Sequence, residues 1–183
     1  MIHGEKIRLR AIDREDLPRF VGWFNDEEVR QGLNFFLPMS LAEEERWFES
    51  MLERNASERP LAIDGREGDR WIHIGSCGLF SFDARDRKAE LGILIGDKTY
   101  WDKGYGTDTL RTLLRHAFET LNLNRVSLRV FESNQRAIKV YERVGFIMEG
   151  RLREDRFSQG RFEDTLIMGI LRDEWKAQKE DEG

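Results

Sequence analysis

Leu91-Gly92-Ile93-Leu94-Ile95-Gly96 leads into Trp101-Asp102-Lys103-Gly104-Tyr105-Gly106-Thr107, followed by Leu110, Leu113, Leu114, Ala117, Phe118 and Leu121 at helical spacing. The apolar run is too short for a globular helix and reads as a buried strand. The spaced residues give a long helix one apolar face. Two glycines sit where that helix starts. A helix start leaves backbone N–H groups without partners and carries a positive partial charge. Glycine lets such backbone come close to a ligand. The order strand, glycine turn, amphipathic helix therefore reads as a cradle for phosphate or pyrophosphate, against the plainer reading of a tight turn.

Two familiar phosphate loops do not fit. A Walker loop needs Lys-Ser or Lys-Thr directly after its last glycine, whereas Gly106 is followed by Thr107-Asp108. The dinucleotide fingerprint needs a third small residue three positions after Gly106; that position is Thr109, and no acidic ribose-binding residue is recognisable in a following strand. Acyl-coenzyme A remains as the third class of ligand.

Downstream, Asn134-Gln135-Arg136-Ala137-Ile138-Lys139-Val140-Tyr141-Glu142-Arg143-Val144-Gly145-Phe146 holds an Asn, a small residue three later, a Tyr four after that, then Gly-Phe. With Trp101 to Gly106, it resembles the paired signatures of the GNAT superfamily of N-acetyltransferases. The resemblance runs from Ile7-Arg8-Leu9-Arg10 to Met168-Gly169-Ile170-Leu171. It is nearest to the RimJ/RimL-like group, which contains ribosomal-protein alanine and spermidine acetyltransferases. One position departs: the superfamily often has Gln or Arg three residues before the first loop glycine, and this chain has Trp101, as is frequent in the subgroup.

The resemblance implies an α/β GNAT fold: a central mixed, mostly antiparallel sheet, splayed at its middle, with helices on both faces. The strands carrying Leu91 to Ile95 and Val126 to Val130 would part at one end. The pantetheine arm of acetyl-CoA would enter there and pair with backbone at Leu94 and Ile95. Trp101, Asp102, Lys103, Gly104, Tyr105, Gly106 and Thr107 would hold the pyrophosphate, with Asn134 and Ala137 also at the coenzyme. The implied activity is acetyl transfer from acetyl-CoA to a primary amine by direct attack. The acceptor is a protein N-terminus, a polyamine, an amino sugar or another small-molecule amine. The alternative is a non-catalytic acyl-CoA sensor or scaffold. Related enzymes are often dimers, so a homodimer is possible.

The 183 residues are 39% hydrophobic and 36% charged, which suits a single domain over residues 1–183. Net charge is −5, and no basic patch points to nucleic acid. The single cysteine, Cys77, excludes an internal disulfide and a cysteine cluster for zinc, so no metal is expected. Met1-Ile2-His3-Gly4-Glu5-Lys6 lacks the apolar stretch of a signal peptide, and no run is long enough to cross a membrane. A cytoplasmic protein is expected.

Along the chain, Glu5 to Arg10 alternates as a strand, and Asp13 caps a helix carrying Leu17, Phe20, Val21 and Phe24. Gln31 to Met39 reads as a loop. Ser40-Leu41-Ala42-Glu43 is a capping box before Trp47, Phe48, Met51 and Leu52. A hairpin turns near Asp64 to Asp69 into a strand from Trp71 to Phe82, whose internal Gly75 and Gly78 suggest a bulge or close approach. Strands follow over Lys88–Ile95 and Arg125–Phe131, with a short helix from Asn134 to Gly145. Two closing strands flank Ser158-Gln159-Gly160, and Asp181-Glu182-Gly183 is expected to fray. This mixed order calls for a central sheet with helices on both faces.

Acetyl transfer to an amine needs a neutral amine, a stabilised carbonyl oxygen and a proton for the departing thiolate. Deprotonating an alkyl amine of pKa about 10.4 at neutral pH costs roughly 4–5 kcal/mol, against roughly 1 for an α-amino group. Tyr141 is the candidate acid: it follows Asn134 by seven residues, near one face of the short helix, and the resemblance puts its hydroxyl by the sulfur. Packing against the sheet is the plainer alternative. Glu90, immediately before the apolar run, is the candidate base or else a strand-end carboxylate. His73 is the rival base or a paired strand histidine. Cys77 reads as a small core thiol, and His116 as exposed. Asn34, Phe35 and Phe36 wall the acceptor or anchor their loop. Glu43, Glu44, Glu45, Glu49 and Glu53 make the second helix acidic, which suits a solvated face or a cationic acceptor.

Overall fold

The computed structural model describes residues 1–181, so Glu182 and Gly183, expected to fray, lie outside it. The hydrogen-bonded strand order is β1-β2-β3-β4-β5-β6-β8-β7, defined below. The chain forms two compact units, Met1–Phe80 with Gly92–Thr112, and Ser81–Leu91 with the described residues from Leu113 onward.

In the first unit, β1 (Ile2–His3) and β2 (Ile7–Ala11) precede helices α1 (Leu17–Asn25), α2 (Glu27–Arg30) and α3 (Leu41–Leu52). Then come β3 (Leu61–Glu67), β4 (Arg70–Asp83), the second half of β5 (Lys88–Ile95) and the start of α4 (Tyr105–Arg115). β1–β2, β2–β3 and β3–β4 pair antiparallel. α3 starts with the expected capping box: Ser40 and Glu43 satisfy each other's backbone N–H. Asn25 exchanges two hydrogen bonds of 2.8 Å with the backbone of Met39, fixing the end of α1 to the entry of α3. Between these helices and the sheet lie Ile12, Leu17, Phe20, Phe48, Met51 and Ala62, with Trp23, Phe24 and Trp47 packed around them. Each large side chain so buried contributes about 1.5–3 kcal/mol. α2 was not expected; four residues are too few for a periodic signal, and Asp26 makes the helix by accepting from the N–H groups of Glu28 and Val29.

The hairpin differs from its expected form. β3 continues through Asp64 and Gly65 to Glu67, leaving a two-residue turn at Gly68-Asp69. Asp64 stays inside the strand because Arg8 and Arg10 of β2 bond its carboxylate at 2.9 to 3.1 Å. Arg10 also grips Asp16 with two bonds of 2.7 and 2.8 Å, and His73 Nδ1 stands 3.2 Å from Asp16. Burial works against the charge on Asp16, but Arg10 and His73 hold its carboxyl far below the usual range.

The second unit contains the first half of β5, the end of α4, β6 (Arg125–Phe131), α5 (Gln135–Val144), β7 (Ile147–Ser158), β8 (Arg161–Leu171) and α6 (Arg172–Asp181). β5 and β6 pair in parallel from Lys88↔Arg125 to Glu90↔Ser127, where the ladder ends. β6–β8 and β7–β8 are antiparallel. Buried Val126, Leu128 and Val130 stand directly opposite buried Ile170, Met168 and Leu166, pairs that stabilise one face of the sheet. α4 ends in a π-turn over His116–Thr120. The wider turn rotates the side chains after it, and His116 is half-buried rather than exposed, its pKa lowered by that burial. α6 was not expected. Trp175 anchors it on Phe118 (ring centroids 5.3 Å apart), while Arg172 donates to the carbonyls of Phe118 and Leu123.

Candidate functional site

The glycine loop of the first unit has the form that an anion site needs. Asp102 and Gly104 both have positive φ, 57° and 87°. Glycine takes that conformation without strain, and Asp is among the few other residues that tolerate it. The Gly104 carbonyl accepts from Asp108 N–H at 3.0 Å, the first bond of α4. The N–H groups of Gly104, Tyr105, Gly106 and Thr107 therefore precede any intrahelical acceptor. A Cβ at Gly106 would meet only Ile95 Cγ1 at 3.9 Å, so that face of the loop is open. Pyrophosphate fits this set of donors at a helix N-terminus.

Two residues that the sequence reading missed hold the loop. Asp108 accepts from the N–H groups of Glu5, Lys6 and Ile7 at 3.1, 2.7 and 3.0 Å. Lys6 Nζ donates to the Lys103 carbonyl at 3.2 Å, which sets a cation beside the cradle. Trp101 acts as a tie. Its Nε1 donates to the Ile95 carbonyl at 2.7 Å and joins the loop to the end of β5. That carbonyl keeps one lone pair for a ligand. β4 must pass close to Leu94, where a Cβ at Gly75 would run into the Leu94 carbonyl oxygen. The glycine inside the strand marks that close approach.

In the second unit, Asn134 caps α5 and its Oδ1 accepts from Ala137 N–H at 3.2 Å. The cap uses the oxygen and leaves the amide NH₂ as a donor. Tyr141 lies on the buried face of α5 with Ile138 and Val144, 8% exposed, its ring edge-on to Phe146 at 5.9 Å. Its hydroxyl has no hydrogen-bond partner among the described residues. Burial pushes its pKa up to about 12, so the phenol is protonated throughout the neutral range. Glu90 sits on the last rung of the β5–β6 ladder, its side chain 33% exposed and its carboxylate 3.8 Å from Arg129. It is thus a half-open carboxylate with a loose ion pair.

His73 is buried; Nε2 lies 2.9 Å from the Gly75 carbonyl and Nδ1 lies 3.2 Å from Asp16. Cys77 is buried and its thiol is pushed well above the usual range by desolvation, which removes thiolate character. Asn34 is exposed. Phe35 packs on Phe24 with ring centroids 4.8 Å apart, while Phe36 is 81% exposed. The first ring is an anchor and the second is free. Of the acidic residues of α3, Glu44 departs from the expected solvated face: it is only 2% exposed.

The family model of the acetyltransferase (GNAT) domain matches residues 6–147. A spermidine N(1)-acetyltransferase of Vibrio cholerae is 30% identical over 178 residues, covering 97% of this chain and 99% of that protein. A ribosomal N-acetyltransferase assigned putatively in Bacillus subtilis, YdaF, is 28% identical over 184 residues, covering 96% and 97%. Among solved structures, Vibrio cholerae spermidine N-acetyltransferase in complex with CoA and spermine superposes with a TM-score of 0.84 at 27% identity, covering 93% of this chain and 98% of that one. No helix among the described residues is long and apolar enough to cross a membrane.

Proposed function

The chain belongs to the GNAT family of acetyltransferases and moves an acetyl group from acetyl-CoA to an amine; from that premise we propose that the α4 loop and the α5 face form its working parts and that the acceptor is a small-molecule primary amine. The relatives named above are N-acetyltransferases, which favours transfer over the coenzyme-sensor alternative. The N–H groups from Gly104 to Thr107 hold the pyrophosphate, and Leu94 and Ile95 offer backbone to the pantetheine arm. Asn134 donates through its amide. The single observation that carries the assignment of the acid is the hydroxyl of the buried residue Tyr141, which no described group engages.

The chemistry proceeds by direct attack. The neutral amine adds to the thioester carbonyl carbon, and the carbon–sulfur bond breaks as the carbonyl re-forms. Tyr141 hands its proton to the departing sulfur. Glu90, directly or through water, takes the proton that the amine must lose. An unperturbed thiol has a pKa near 8.5, so protonating the sulfur is helpful but not indispensable. A protein N-terminus is the second reading, favoured by YdaF. Exposed Phe157 and Phe162, edge-on at 5.1 Å at the β7–β8 turn, are the apolar surface that a second copy covers in a homodimer. The protein works in the cytoplasm.

Thiol release from acetyl-CoA across a panel of amines and N-terminal peptides tests the acceptor. Single-turnover rates of Tyr141→Phe test the acid. The ring and its contact with Phe146 remain, so stability and coenzyme affinity should stay near native while the rate falls roughly 10²–10⁴-fold. A wild-type rate would make Tyr141 a packing residue.

A further inference from the structure

α3 buries one face, and that face reads Glu44, Phe48, Met51. Spacings of four and three residues make these neighbours on the helix, with Trp47 beside them. Phe48 and Met51 fill the core of the first unit, as that face requires. Glu44 breaks the pattern. Its side chain has neither a hydrogen bond nor an ion pair among the described residues, and desolvation alone raises its pKa to about 7. A buried carboxyl without a partner is a cost that an apolar residue at the same position would avoid.

Trp47 and Phe48, three and four residues further on, are its neighbours along the helix, and both pack on the Phe20 cluster. Phe20 has Trp23, Phe24 and Trp47 around it, with ring centroids 5.4, 5.9 and 6.3 Å away, and Phe35 continues the cluster from Phe24 outward to the surface. The clamp between Asn25 and Met39 aligns the second half of α1 with the first half of α3, which carries Glu44. None of the cations of these elements pairs with Glu44 among the described residues. Arg10 holds Asp16, Arg14 pairs with Glu49, and Arg19 donates to the His73 carbonyl. The cluster also adjoins the coenzyme loop within the same unit. The Trp23 indole lies against Gly96, where a Cβ would collide with it, and the preceding residue, Ile95, holds Trp101 through its carbonyl.

An acidic group without a cation, among ring faces that attract one, is half of a recognition site. We propose that Glu44 and the surrounding rings receive an alkylammonium group, so that the acceptor is an amine carrying a second positive charge. This rests on the acetyltransferase reading above and names its substrate class. The ammonium supplies the countercharge that Glu44 lacks, while Trp23, Trp47 and Phe35 cover its methylene stem. Glu44 is a specificity residue: it binds the far end of the acceptor and takes no part in the transfer.

The test uses the purified full chain with saturating acetyl-CoA and two acceptors, 1,4-diaminobutane and butylamine. Glu44→Gln keeps shape and removes charge. It should raise KM for the diamine roughly 10–100-fold, the range for a charged hydrogen bond in a sheltered site, with kcat little changed and butylamine unaffected. Glu44→Asp should recover part of the loss. Equal KM changes for both amines, or none, overturn the proposal. Binding of 1,4-diaminobutane, followed by tryptophan fluorescence without turnover, separates the two levels. Glu44-dependent binding with no acetylation would sink the acetyltransferase reading and leave the site standing. Turnover of diamines that ignores Glu44 would do the reverse, and neither binding nor turnover would reject both.

Discussion

Replacing Glu44 by glutamine should make the protein more stable, and only above mildly acidic pH. The Glu44 carboxyl titrates near 7 in the folded protein and near 4.5 when unfolded. Below about pH 4 it is protonated in both states and adds nothing to the pH dependence. As the pH rises, the unfolded chain ionises first, and stability falls until the folded group ionises too. Above about pH 7 the loss is complete, at about 3 kcal/mol. Glutamine is neutral throughout and has no such term. Its buried amide adds a constant offset, so the slope is the diagnostic rather than the absolute value. The difference in melting temperature, variant minus wild type, should grow by roughly 6–12 °C between pH 4 and pH 8. Every other charged residue is common to both proteins, so its contribution cancels in that difference. Differential scanning calorimetry on matched buffers measures it. A difference that does not change with pH would show that the carboxyl is solvated or paired in solution, and the argument for an unpartnered group would collapse.

Gly106→Asp should fold normally, because a Cβ there meets nothing closer than 3.9 Å, yet lose most of its coenzyme affinity by calorimetric titration. Unchanged affinity would remove the anion site from the α4 loop. Glu90→Gln should cost most activity at low pH and least where the acceptor amine is already neutral; a constant ratio to wild type across pH would assign the proton transfer elsewhere. Asp16→Asn leaves Arg10 without its two-bond partner and should cost about 3 kcal/mol in urea unfolding near pH 7. Because the folded protein holds Asp16 well below 3.8, that contribution is present above this pH and is lost in the wild type only as the pH falls below it. A variant as stable as wild type at pH 7 would show that the Arg10–Asp16 pair adds nothing.

Where the sequence was legible, local chemistry decides the outcome. The limits of β5, β6 and α5 coincide with the expected ones, because an apolar run between turn residues, or an Asn cap followed by a glycine stop, needs no distant partner. The loop was readable for the same reason, since its donors are its own backbone. The groups that hold it were not. Asp108 and Lys6 are 102 residues apart in the chain, and nothing in either neighbourhood announces the other. Asp64 likewise reads as a turn residue until two arginines from β2 are seen to satisfy it.

Glu44 is the instructive failure. It lies in the run Glu43-Glu44-Glu45, where composition says solvated face, and its neighbours bear that out: Glu43 closes the cap box and Glu45 is exposed. The signal lay in the phase of the helix. Counting back three residues from Met51 reaches Phe48, and four more reach Glu44. A charge that falls on a buried stripe needs a partner, and every charged residue of the first unit buried to that degree has one, except this. Asp64 has Arg8 and Arg10, and Asp16 has Arg10 and His73. The partner missing from the chain is what an amine acceptor would bring, which makes the one buried carboxyl of the unit without a partner among the described residues the place where the identity of the substrate is most directly open to experiment.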